Sequence, residues 1–136
     1  MSFAPALTQI SSVRLNRVGF IALWAVQVAL AGMFLLAGSS KLFGAAPMVA
    51  LFNAIGIGQW FRYMTGFIEV SSAIALLVPS VAVFGALALV PTMIGAITAH
   101  LFIVGGSPVV PAILLLGSAS VLWVRRHQLL GDQTIR

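Results

Sequence analysis

Lys41, Glu69 and His100 are the side chains of this sequence placed to do chemistry, because each lies in or at the edge of a stretch otherwise suited to lipid. Arg62 and Tyr63 precede Glu69 by about two helical turns. Glu69 is one of only two acidic residues in 136, and no other Asp, Glu, Lys or Arg occurs from Tyr63 to Val124. A carboxylate at the centre of a bilayer costs about 3 kcal/mol on insertion scales, so it needs a partner or a task. Paired with Lys41 it can pin two helices. Beside His100 it can hydrogen-bond the oxygens of a ligand or pass protons, with Lys41 holding it ionised. One Glu and one His are too few for a metal site, and no metal is expected. The sequence has no cysteine, which removes disulfides, dithiol exchange and thiolate clusters. Any redox role must then work through a bound molecule.

Four apolar runs must position these groups. The first extends from about Val18 to Leu42, long enough to cross a hydrocarbon core of roughly 30 Å. The second runs from Trp60 to Val78 and stops at Pro79-Ser80, a turn signal. The third runs from Val81 to Val104 and ends at Gly105-Gly106-Ser107-Pro108. The fourth runs from Val109 to Val124 and ends at Arg125-Arg126-His127. Between the first two lies Gly44 to Gln59, where Pro47 can open a helix and Met48, Leu51, Phe52 and Ile55 recur at helical spacing. That segment is too short to span, so it is expected at the interface. The predicted fold is all-α and integral to the membrane: a four-transmembrane-helix bundle with a short interfacial helix between spans one and two. Residues 1–17 then form an N-terminal segment, 18–124 the membrane domain and 125–136 a basic tail.

Helical periodicity orients the polar residues. Gln27, Ala31, Phe34, Gly38 and Lys41 follow steps of four and three and share one face of span one. In span two the stripe is Arg62, Thr65, Gly66, Glu69, Ser72 and Ala73, opposite Phe67, Val70, Ile74 and Leu77. In span three it is Gly85, Ala88, Thr92, Ala96 and Ala99, with His100 one turn beyond Ala96. Small and polar residues collect where helices touch in lipid, so these faces are expected inside. Trp60, Phe61, Arg62 and Tyr63 read first as an aromatic belt with a snorkelling arginine.

Composition agrees. The chain is 61% hydrophobic and 7% charged, with a mean hydropathy of +1.14, where soluble proteins carry about 25% charged residues. The net charge of +5 forms no basic stripe with interleaved aromatics, which argues against nucleic-acid binding. Instead Arg14, Arg17, Arg125 and Arg126 bracket the apolar mass, and with an even number of spans they place both termini in the cytoplasm. Lys41, Arg62 and the Gly-Gly-Ser-Pro loop then lie toward the outer face. Ala29-Leu30-Ala31 resembles a signal-peptide cleavage site, but the apolar run continues through Leu36, as a retained span does.

FLLAGSSKL (Phe34 to Leu42), WFRYMTGFIEVSSAIALLVP (Trp60 to Pro79) and AHLFIVGGSP (Ala99 to Pro108) resemble the DoxX-like family of small four-span membrane proteins, over approximately Ile21 to Val124. The resemblance places Lys41, Glu69 and His100 at the family's recurrent polar positions. It also implies an association with redox systems, since the name-giving members accompany terminal oxidases and thiosulfate:quinone oxidoreductases. Related bundles handle quinones through paired cysteines, a mechanism this chain cannot use. Thiosulfate oxidation does not follow from a shared fold.

The leading expectation is a membrane subunit or accessory protein of a respiratory or redox system in a bacterial inner membrane. Its intramembrane pocket would accept a quinone or other lipophilic molecule and be served by Lys41, Glu69, His100, Arg62 and Tyr63. Its expected partners are the lipid bilayer, a redox protein and further copies of itself. The alternative is a non-catalytic protein in which the Glu–Lys pair only fixes helix packing. A third reading, transport of a small solute or proton, meets the lack of any internal repeat for alternating access.

Overall fold

The computed structural model describes residues 15–130. Helix α1 (Arg17–Leu42) starts where the side chain of Asn16 accepts the Gly19 amide at 2.8 Å, satisfying one of the free donors of a helix N-terminus. Its 26 residues give a length of about 39 Å. Helix α2 (Ala46–Ile55) carries Pro47 in its first turn and ends at Gly56 in the left-handed conformation, and it buries only Phe52. The interfacial element expected between the first two spans is therefore present as a short helix. Helix α3 (Gln59–Leu76) and helix α4 (Ala82–Ala99) follow, joined through the turn around Pro79. A π-helical turn (His100–Val104) extends α4 up to Gly105 and Gly106, both at positive φ. Helix α5 (Val109–Arg125) then runs into a 3-10 turn (Arg126–Leu130). Arg14 and Arg136, two of the expected topology residues, lie outside the described residues.

Helix α1 packs on α3, α3 on α4 and α4 on α5, while α5 returns to α1 along a looser seam. Backbones approach where glycine leaves room. A Cβ on Gly38 of α1 would sit 2.9 Å from the Gly66 carbonyl oxygen of α3. One on Gly85 of α4 would sit 2.7 Å from that of Ser72. Such small-residue contacts are the means by which helices associate in lipid, where no hydrophobic force separates helix from solvent. The core is filled by Leu30, Phe34, Leu76, Leu89, Met93 and Val121. The exterior is equally apolar, with Ile21, Leu36, Phe67, Phe84, Phe102 and Leu116 all exposed. A water-facing surface would not tolerate that much contiguous hydrocarbon.

By length and composition, three helical stretches can cross a membrane: Arg17–Leu42, Ala82–Val104 and Val109–Leu130. Helix α3 is 18 residues long and is not among them, because Gln59, Arg62, Glu69 and three hydroxyl residues lower its hydropathy. Of the predicted stripe, Arg62, Gly66, Glu69, Ser72 and Ala73 are buried and Thr65 is half-buried, while Ser71 faces outward. The face expected of α1 is buried through Gly38, with Lys41 partly covered. Helix α4 departs from expectation. Of Gly85, Ala88, Thr92, Ala96 and Ala99 only Gly85 is buried, and the inward face is Ala82, Ala86, Leu89 and Met93. The Thr92 hydroxyl donates to the Ala88 carbonyl of its own helix at 2.8 Å and so needs no partner on a neighbouring helix.

Candidate functional site

Lys41 lies in the last turn of α1 and Glu69 in the middle of α3, and the Gly38–Gly66 contact brings their helices together one turn away. The ammonium donates to both carboxylate oxygens, at 3.1 Å to Oε1 and 2.9 Å to Oε2. Glu69 is 2% exposed and Lys41 13%. An ammonium has three hydrogens, so this geometry leaves one for a further acceptor, on the less covered partner.

Arg62 does not snorkel to the interface. It is buried, donates through Nη1 to the Lys41 carbonyl and through Nε to Gln59 Oε1 at 2.6 Å, and lies 4.2 Å from the Tyr63 ring centre. The cause is the end of α1, whose last carbonyls lack partners within the helix and carry its negative dipole end. A guanidinium one turn into α3 satisfies them better than water at the rim would. Gln59 carries the connection on to α2, donating to Asn53 Oδ1 at 2.8 Å and to the Val49 carbonyl at 3.2 Å. Glu69, Lys41, Arg62 and Gln59 thus form one polar chain from the interior to α2. Tyr63 is exposed.

His100 stands apart from that chain. Its Nδ1 donates to the Ala96 carbonyl at 2.9 Å, which leaves Nε2 for a further partner. No hydrogen bond joins it to Lys41 or Glu69 among the described residues. It opens the π turn, an irregularity that recurs at functional positions in helices.

A second polar centre occupies the end of the molecule near both termini. Arg125 is only 1% exposed and Gln27 is fully buried. Arg125 Nε donates to Gln27 Oε1 at 2.8 Å, and Gln27 Nε2 donates to the Leu76 carbonyl at 2.6 Å. Arg125 Nη1 and Gln128 Nε2 both reach the Pro79 carbonyl, at 3.4 and 2.8 Å, and Trp24 lies beneath the guanidinium. Sequence reasoning gives Arg125 a topological role alone. The missed signal is the series Leu114, Ser118, Val121, Arg125, whose steps of four, three and four continue the buried face of α5.

A family model described as the DoxX-like family matches residues 25–123. The chain belongs to the DoxX-like family. The matched part of this DoxX-like protein contains Gln27, Lys41, Arg62, Glu69 and His100, and stops two residues before Arg125. Family and structure agree on a helical membrane protein. No curated protein and no solved structure matches the chain.

Proposed function

We propose that this DoxX-like protein is an accessory or membrane subunit of a respiratory or redox system, built as four spans with both termini in the cytoplasm of a bacterium. Its outer half would receive the polar head of a quinone or similar lipophilic molecule. The observation that carries this reading is the Lys41 ammonium, which Glu69 holds through both carboxylate oxygens at a site only 13% exposed. A cationic donor kept out of water is a strong partner for a carbonyl oxygen. His100 would supply an acceptor for a ligand hydroxyl, and Arg62 would hold the Lys41 backbone in place. Helix α3 counts as a span in this reading because its two charged side chains, Arg62 and Glu69, are buried and bonded to Lys41 of α1.

The test is extraction from the native membrane in mild detergent, followed by mass spectrometry of what stays bound. A stoichiometric quinone or comparable molecule, lost in Glu69→Gln while the protein still inserts, supports the reading. Recovery of ordinary phospholipid alone, with no protein partner, sinks it.

A second reading is favoured by the same pair seen from the carboxylate. Both oxygens of Glu69 are taken by Lys41, so the pair is complete without a ligand and can serve to fix α1 against α3. In that case the protein is a structural or assembly component.

A further inference from the structure

We propose that the end of the protein near both termini binds an anionic phospholipid, with the headgroup phosphate on Arg125 and one acyl chain between α1 and α5. This site lies at the opposite end of the helices from Lys41 and Glu69 and does not depend on the reading above.

The seat for the chain comes from the looser seam. A Cβ on Gly117 of α5 would stand 2.9 Å from Leu30 Cδ2 of α1, so the two helices touch there. Toward the termini they part, leaving a groove of about 180 Å³ lined by Gly19, Ala22, Leu23, Val26, Val121 and Val124 among others. The walls are hydrocarbon, and the exposure of Ala22 and Val26 on them leaves the groove open to the surroundings. Arg125 directly follows Val124, one turn after Val121. Leu23 and Val26 flank Trp24 and Gln27, the two α1 residues that touch its guanidinium.

The need for an anion comes from an unbalanced charge. Arg17, Arg125 and Arg126 gather at this end, and the only acid among the described residues, Glu69, is already paired elsewhere. Arg125 uses its Nε hydrogen on Gln27 and one Nη1 hydrogen on Pro79. Its other three have no acceptor among the described residues. Burying a guanidinium without a counter-charge is costly, and its fork of donors matches phosphate oxygens. On the next turn, His127 Nε2 and Gln128 Oε1 are buried without a hydrogen-bond partner among the described residues, at residues only 3% and 9% exposed. The Gln128 amide shares the Pro79 carbonyl with Arg125. An orphan acceptor beside spare donors suits a headgroup that offers a hydroxyl as well as phosphate. Anionic lipids of the cytoplasmic leaflet supply that chemistry next to clustered arginines.

Purified protein would be titrated in detergent with palmitoyl-oleoyl phosphatidylglycerol, with the phosphatidylcholine of the same chains, and with inorganic phosphate, and read by native mass spectrometry. Phosphatidylglycerol should be retained roughly tenfold better than phosphatidylcholine and should resist millimolar phosphate. Ala22→Phe, an exposed position that fills the groove without touching the core, should remove the preference. Arg125→Lys, which keeps the charge and loses the fork, should weaken it. Equal retention of the two lipids would overturn the proposal. So would displacement by phosphate alone, a preference that survives Ala22→Phe, or a dimer that Ala22→Phe dissolves in place of a lipid adduct.

Discussion

Lys41 closes on Glu69 with two of its three hydrogens, across 28 residues of sequence and from helix to helix. The pair is short, nearly buried and isolated from other carboxylates among the described residues. Removing either partner strands the other charge in an apolar interior, at a cost of about 3–5 kcal/mol. Lys41→Met and Glu69→Leu should each lower thermal stability in detergent sharply. Together they should restore most of it, because matched apolar residues can replace a buried pair. If ligand retention is lost in the stable double variant, the pair has a role beyond packing.

The glycine contact that sets up this pair offers a second test. Gly38→Ala places a methyl 2.7 Å from Val70 Cγ2 and 2.9 Å from the Gly66 carbonyl, so α1 and α3 must move apart. Such overpacking costs about 1–3 kcal/mol. Gly32→Ala, on the same helix with nothing within 4 Å of its added Cβ, should be neutral or slightly stabilising through helix propensity. Thermal unfolding of the two variants, measured side by side, distinguishes close approach from loss of backbone freedom.

Among the described residues, Gln59 alone hydrogen-bonds α2 to the polar chain that begins at Glu69. Gln59→Ala should speed amide exchange over Ala46–Ile55 while leaving α1 and α4 protected. Hydrogen-exchange mass spectrometry reads both regions in one experiment. Equal protection in variant and parent would mean that Phe52 packing alone holds the helix down.

At the other end, Gln27→Leu keeps side-chain volume but leaves the Nε hydrogen of Arg125 and the Leu76 carbonyl unpaired. Buried groups left in that state cost about 1–3 kcal/mol each. Gln27→Leu should therefore lower the unfolding temperature more than Ser120→Ala, whose exposed hydroxyl only bonds its own helix.

The elements and the first polar pair were legible in the sequence because both follow from strong, local signals. Runs of apolar residues set the helices, and Gly44, Pro79 and Gly105 mark their breaks. A lone carboxylate in such a run has few possible partners, and Lys41 is one of them. The rest depended on distances the sequence does not display. Arg62 looked like a rim residue because Trp60 and Tyr63 surround it, yet the unpaired carbonyls at the end of α1 draw it inward. Arg125 looked like a topology residue because Arg126 and His127 follow it, yet it lies on the buried side of α5. Helix α4 misled in the opposite sense. The Thr92 hydroxyl bonds its own helix, and the interior is filled by Ala86, Leu89 and Met93 beside Gly85.

The bond between Gln27 and Arg125 also orders events during synthesis. Gln27 leaves the ribosome early, with its amide in a segment that enters the membrane before any partner exists. The Leu76 carbonyl arrives 49 residues later and takes its donor side. The acceptor side waits until Arg125, 98 residues on, has been made. The hydrogen bonding of the first helix is therefore not complete until the end of α5 has been made.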